Sequence, residues 1–84
     1  PAEWILRYPG RQPLVHLKDM AVTPEREQRM APVGEGNLNW PAILRAVDSA
    51  GAEFVFVEQD KHYDADPFEN MAISYRNLKS MGYK

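Results

Sequence analysis

Two short apolar runs with one amphipathic helix between them decide most of what this chain can become. Leu14-Val15-His16-Leu17 and Phe54-Val55-Phe56-Val57 are too short for buried helices, and their β-branched and aromatic side chains suit strands. Between them Trp40, Ile43, Leu44 and Val47 recur at i, i+3, i+4 and i+7, the stripe of a helix with one buried face. Strand, helix, strand joined this way folds as a right-handed crossover with the strands parallel. Both runs are apolar on both faces, as in parallel strands covered from two sides. Two strands alone leave unpaired edges and make no stable sheet, so the chain is expected to need neighbours.

The remaining punctuation fixes the element order. Residues 2–8 have helical spacing and stop at the breaker pair Pro9-Gly10; lacking a first turn, they read as the tail of a longer helix. The first strand is placed at 13–19, followed by a long connection from Met20 to Asn39, of the length usual for functional or disordered loops. Asn39 is the expected N-cap of the central helix, with Pro41 in its first turn and Gly51 closing it. The second strand covers about 53–59. Asp66-Pro67-Phe68-Glu69 then has the form of a capped helix start, and Phe68, Met71, Ala72, Tyr75, Leu78 and Met81 are the expected core stripe of the last helix. The organisation is helix tail, β, α, β, α, in a single partial domain spanning 1–84.

Composition excludes several classes of function. A chain of 84 residues buries only about 60–65% of the surface its unfolded form exposes, so its core is marginal. Net charge is −2, and no basic stripe is present to neutralise a row of phosphates, so nucleic acid is not an expected partner. The absence of cysteine removes disulfides and thiolate chemistry. No apolar run approaches the roughly 20 residues that span a bilayer, and the N-terminus has no basic-then-apolar signal pattern. The expectation is a cytoplasmic protein without a membrane partner.

Chemistry concentrates at the strand ends. Parallel strands joined by a crossover open their C-terminal ends on one side, which in α/β barrels carries the active site. His16 lies within the first strand and Glu58 closes the second. An imidazole and a carboxylate converging there are either two ligands of a divalent metal or a base and its partner. Other readings stand beside these: a buried His bonded to a backbone carbonyl, and a Glu in a salt bridge at the rim. Lys18 faces the same way as His16, and either holds a phosphate, polarises a carbonyl or snorkels to solvent. Asp19 orients loop backbone, supports a metal ligand or ends the strand. Gln59 and Asp60 read as solvated loop residues. Gly34-Glu35-Gly36 is either a phosphate cradle or a tight turn feeding the helix, and Glu25-Arg26-Glu27-Gln28-Arg29 a solvated loop or a helical turn. His62, Asp64 and Asp66 have the donors to chelate an ion, with Asp66 better explained as a cap. Arg11 either reaches an anionic group or stays on the surface.

Three segments together resemble one family. Tyr8-Pro9-Gly10-Arg11-Gln12-Pro13-Leu14-Val15-His16-Leu17-Lys18-Asp19-Met20 resembles a late strand of the sugar phosphate isomerases and epimerases, the xylose isomerase-like TIM barrels. Val33-Gly34-Glu35-Gly36-Asn37-Leu38-Asn39-Trp40 resembles the family's Gly-x-Gly loop and the start of its penultimate helix, and Val57-Glu58-Gln59-Asp60 the end of its last strand. The resemblance covers nearly the whole chain in order. It implies an α/β fold, a β-α-β-α fragment made of the seventh and eighth strands of a (β/α)8 barrel with their helices. It also implies a divalent metal (Mn, Mg, Co or Zn) in the complete barrel, with His16 and Glu58 as two ligands. Glu58 would move the substrate proton and Lys18 would assist. The substrate would be a sugar or sugar phosphate reacting through an enediolate. The other ligands and the opposing base would lie upstream of Pro1, so the isolated chain is expected to be inactive.

The residues also admit two other readings. One is a non-catalytic piece that self-associates through exposed strand edges into a homo-oligomer, or completes a barrel. The other is a phosphodiesterase or AP endonuclease on the same scaffold, disfavoured by a negative charge and only 2 His in the chain.

Overall fold

Asn39 and Asp66 start the two long helices as the capping rules require. In the computed structural model, which describes residues 1–83, Asn39 Oδ1 accepts from the Ala42 N–H at 3.3 Å and opens α2 (Trp40–Ser49). Asp66 Oδ1 accepts from the Phe68 N–H at 2.9 Å and opens α3 (Pro67–Ser80). Each cap satisfies an N–H left over in the first turn, worth about 1 kcal/mol. Gly51 follows α2 at φ +81°, a left-handed position that glycine reaches without strain. A short helix, α1 (Ala2–Arg7), precedes them. Glu69, placed for a capping box, instead pairs with Arg76 at 3.2 Å.

The strands form two small sheets, so the chain is a mixed α/β domain with three helices. β1 (Leu14–Leu17) neighbours β4 (Phe54–Val57). The Phe54 N–H donates to Pro13 O and the Glu58 N–H to Leu17 O, so the same offset recurs four residues further along both strands. A constant offset is the signature of parallel pairing. β2 (Asp19–Val22) pairs antiparallel with β3 (Gln28–Ala31), from Asp19 opposite Ala31 to Val22 opposite Gln28. The expected long loop from Met20 to Asn39 is therefore in large part a hairpin, and the strand placed at 13–19 breaks at Lys18. Thr23 closes the hairpin tip: its N–H donates to Glu27 O, its carbonyl accepts from the Arg26 N–H, and its hydroxyl accepts from the Glu27 N–H. The charged run 25–29 is this tip and the start of β3.

The fold divides into two compact units, each drawn from two stretches of chain. One comprises Pro1–His16 with Asn39–Phe56, the other Leu17–Leu38 with the chain from Val57 onward. In the first, α1 packs on α2, which buries Trp40, Ile43, Leu44, Ala46 and Val47 as its stripe requires. The strand residues of this unit depart from expectation, because one face is open. Leu14, Phe54 and Phe56 are 58%, 61% and 49% exposed, and His16 lies on the same surface with its ring edge-on to Phe56 at 5.8 Å.

In the second unit the expected stripe of the last helix is only partly buried: Leu78 is in the core and Ala72 and Met81 are half-buried. Phe68 is 86% exposed and Met71 and Tyr75 are exposed too, while Asn70, Ser74 and Leu78 are buried. The reason is hydrogen bonding. Ser74 Oγ accepts from the Val33 N–H at 2.9 Å, and the Asn77 amide donates to Val33 O at 2.9 Å and to Glu35 at 2.8 Å. Burying Val33 leaves its backbone N–H and C=O in need of partners that a wholly apolar helix face cannot supply.

This orientation predicts an inverted mutational pattern along α3. Leu78→Ala is expected to cost about 2–4 kcal/mol, whereas Phe68→Ser stays within about 0.5 kcal/mol of the parent. Urea denaturation of both variants measures this.

Candidate functional site

The second unit is organised around one carboxylate. Asp19 is 1% exposed, and it receives backbone N–H groups from both sides. Oδ1 accepts from Met20 at 2.8 Å and Leu38 at 3.4 Å, while Oδ2 accepts from Gly34 at 3.0 Å and Gly36 at 2.9 Å. The Asn37 N–H adds a bond to Met20 O at 2.7 Å. Charge-assisted bonds of this kind compensate a buried carboxylate for its lost water.

The same arrangement explains the Gly-x-Gly spacing. Gly34 sits at φ +95°, and a Cβ there would lie 2.8 Å from Asn77 Nδ2. A Cβ on Gly36 would overlap Met20 O and Asp19 Oδ1 and stand 2.7 Å from Asp19 Cγ. Both glycines let the loop close on Asp19, so its N–H groups already face an anion supplied by the chain itself. The phosphate-cradle reading of this loop gives way to the turn.

Beside Asp19 the strand end carries a charge cluster. Lys18 Nζ lies 2.9 Å from Asp60 Oδ2 and 3.1 Å from Glu58 Oε1. Lys18 follows β1 and Glu58 follows β4, so the outward alternation at two neighbouring strand ends brings them together. The Lys18 ammonium holds the Asp60 carboxyl below its ordinary value of 3.8. The Asp60 carboxylate, and after it Glu58, hold Lys18 above its ordinary 10.5. Asp60's contribution to stability is thus present above pH 3.8 and disappears as pH falls through its lowered value. Lys18's is present below pH 10.5 and is lost as pH rises through its raised value. Both groups are solvated, and salt screens the pair.

The cluster borders a cleft of about 460 Å³ between the β2–β3 hairpin and the loop after β4. Met20, Met30 and Leu38 supply apolar wall, and Lys18, Arg29, Asp60 and Lys61 supply charge. Tyr63 joins hairpin and loop: its hydroxyl accepts from the Met30 N–H at 2.9 Å, and the Arg29 guanidinium lies over its ring, 3.9 Å from the centroid.

The sequence-predicted residues fall out as follows. Lys18 and Glu58 come together, and Asp60, a solvated loop residue as expected, joins them. His16 belongs to the first unit, beside Phe56. Gln59 is buried, with Nε2 donating to Lys61 O at 3.0 Å and Oε1 without a partner among the described residues. His62 Nδ1 lies 2.9 Å from Asn70 Nδ2, which can only donate, so that nitrogen is an acceptor already in use. Asp66 serves as the α3 cap, as expected. Among the described residues no group of three or more His, Cys, Asp or Glu is placed to hold a metal, and no helix is long and apolar enough to cross a membrane. Sequence reasoning missed Arg29 and Tyr63. The signal for the hairpin was present in Met20-Ala21-Val22 and Gln28-Arg29-Met30, two runs flanking a short polar turn.

Two substitutions test this geometry. Gly36→Ala forces apart the Asp19 clasp and is expected to cost about 1–3 kcal/mol, read from the denaturation midpoint. Lys18→Met removes the cation beside Asp60, so the Asp60 carboxyl should titrate at a higher pH, followed by carbon NMR of the side chain. An unchanged midpoint would show that the ion pair does not form in solution.

No protein-family model, curated protein or solved structure matches this chain.

Proposed function

We propose that the chain is the C-terminal segment of a divalent-metal-dependent sugar or sugar-phosphate isomerase or epimerase. In this reading β1-α2-β4-α3 are the seventh and eighth strands and helices of a TIM barrel, acting by proton transfer next to a carbonyl. The observation that carries the proposal is the approach of Lys18 to Glu58, 3.1 Å apart where two parallel strands end. Removing a weakly acidic C–H proton needs a carboxylate within hydrogen-bond reach and a positive group to receive the charge that builds on the carbonyl oxygen. Glu58 has the chemistry of the base, and the Lys18 ammonium can donate to the developing enediolate oxygen.

Other features support the barrel reading. The open strand face of Leu14, Phe54 and Phe56 and the outward Phe68, Met71 and Tyr75 of α3 are surfaces that further strands and helices would cover. His16 and Glu58 are the proposed metal ligands. Two donors fall short of the set a divalent ion requires, so the remaining ligands belong outside this chain and no chemical step is assigned to the ion here. A cytoplasmic enzyme acting on a sugar or sugar phosphate is part of the same proposal.

The test uses the chain alone and the protein encoded by the open reading frame that contains it. Each is incubated in D₂O with ketoses or ketose phosphates and Mn²⁺, Mg²⁺ or Co²⁺, and deuterium uptake next to the carbonyl is followed by NMR. The chain alone should be inactive. The encoded protein should exchange, and Glu58→Gln should slow it by about 10²–10⁴-fold. If the encoded protein neither exchanges nor binds metal, the proposal fails.

The open apolar face also favours a second reading, a non-catalytic piece that self-associates through it or completes a barrel. Sedimentation equilibrium separates the two: a well-folded monomer at all concentrations contradicts self-association.

A further inference from the structure

The cleft of the second unit has chemistry that the proton-transfer pair does not use. Of the cations on its wall, Lys18 is engaged by both Asp60 and Glu58. Arg29 and Lys61 have no carboxylate partner among the described residues. The carboxylates on the wall are both engaged, Asp19 by backbone N–H groups and Asp60 by Lys18. Arg29 and Lys61 are therefore the cations of the wall that are not committed to a carboxylate among the described residues.

Arg29 is also held in place. Its guanidinium lies over the Tyr63 ring, 3.9 Å from the centroid, and Tyr63 is fixed in turn by the Met30 N–H on its hydroxyl. A guanidinium held over an aromatic ring by cation–π attraction keeps N–H groups available to grip a carboxylate or phosphate. Met20, Met30 and Leu38 give the cleft an apolar wall, and its 460 Å³ is the size of a small-molecule site.

We propose that this cleft binds a small organic anion, a phosphate ester or carboxylate whose oxygens meet Arg29 and Lys61 and whose body lies against Met20, Met30 and Leu38. The site is independent of the isomerase reading, because it calls for binding and no turnover.

The chain itself is titrated with glycerol 3-phosphate, D-glycerate and uncharged glycerol, followed by amide and methyl NMR shifts. Either anion should give saturable shifts at Arg29, Lys61 and the Met20 and Met30 methyls, weakened by added salt, and the stronger of the two identifies the preferred oxyanion. Glycerol should bind at least about tenfold more weakly. Arg29→Gln, an exposed substitution, should cost about tenfold in anion affinity, and Arg29→Lys should restore part of it. Lys61→Gln, in the loop, provides a second variant if Arg29→Gln disturbs the hairpin's amide spectrum. Glycerol binding as tightly as the anions, or Arg29→Gln and Lys61→Gln both binding undiminished, would overturn the proposal. So would shifts confined to another surface. None of these outcomes touches the isotope-exchange test of the isomerase reading.

Discussion

A buried carboxylate in a domain this small has to be satisfied in full, and the second unit is built around satisfying one. Asp19 sits at the start of β2 with Met20, Gly34, Gly36 and Leu38 donating to it. Each consequence follows from that constraint. The loop after β3 must curl tightly enough to bring alternate N–H groups onto the carboxylate, which demands glycine at 34 and 36. The curl leaves the Val33 N–H and C=O without strand partners, and Ser74 and Asn77 of α3 provide them. The helix is thereby obliged to bury a polar face. A side chain one residue beyond Lys18 thus fixes a loop, the orientation of a helix and one wall of the cleft.

The last helix leaves Phe68, Met71 and Tyr75 of its apolar stripe outward because backbone hydrogen bonds outrank side-chain burial at this site. An unmet buried amide costs about 1–3 kcal/mol, comparable to the burial of a large apolar side chain. The outward Phe68 and Tyr75 then remain for some other surface to cover. The face carrying Leu14, Phe54 and Phe56 has the same character within its own unit.

Local features were legible in the sequence where one rule acted alone. The caps at Asn39 and Asp66, the stop at Gly51, the buried stripe of α2 and the two parallel strands all follow from short-range patterns. The hairpin was not read, since the charged run Glu25–Arg29 masked the alternation on either side of it. Asp19 orients loop backbone, one of the roles its place at the strand end allowed, whereas Gln59 looked like a solvated loop residue and only the folded loop shows that it is buried. Of the site, Lys18 and Glu58 were found through strand alternation. Asp60, Arg29 and Tyr63 were not, because their places depend on loops whose paths no local pattern specifies.

The Asp19 clasp is tested most directly by amide hydrogen exchange at Gly34 and Gly36. These residues lie in an exposed turn, where free amides exchange at the rate of an unfolded chain. Held by a carboxylate, both should exchange slowly, with protection approaching that of the β2–β3 hairpin, and both should lose it in Asp19→Ala. Rapid exchange at Gly34 and Gly36 in the unaltered protein would contradict the account at its centre.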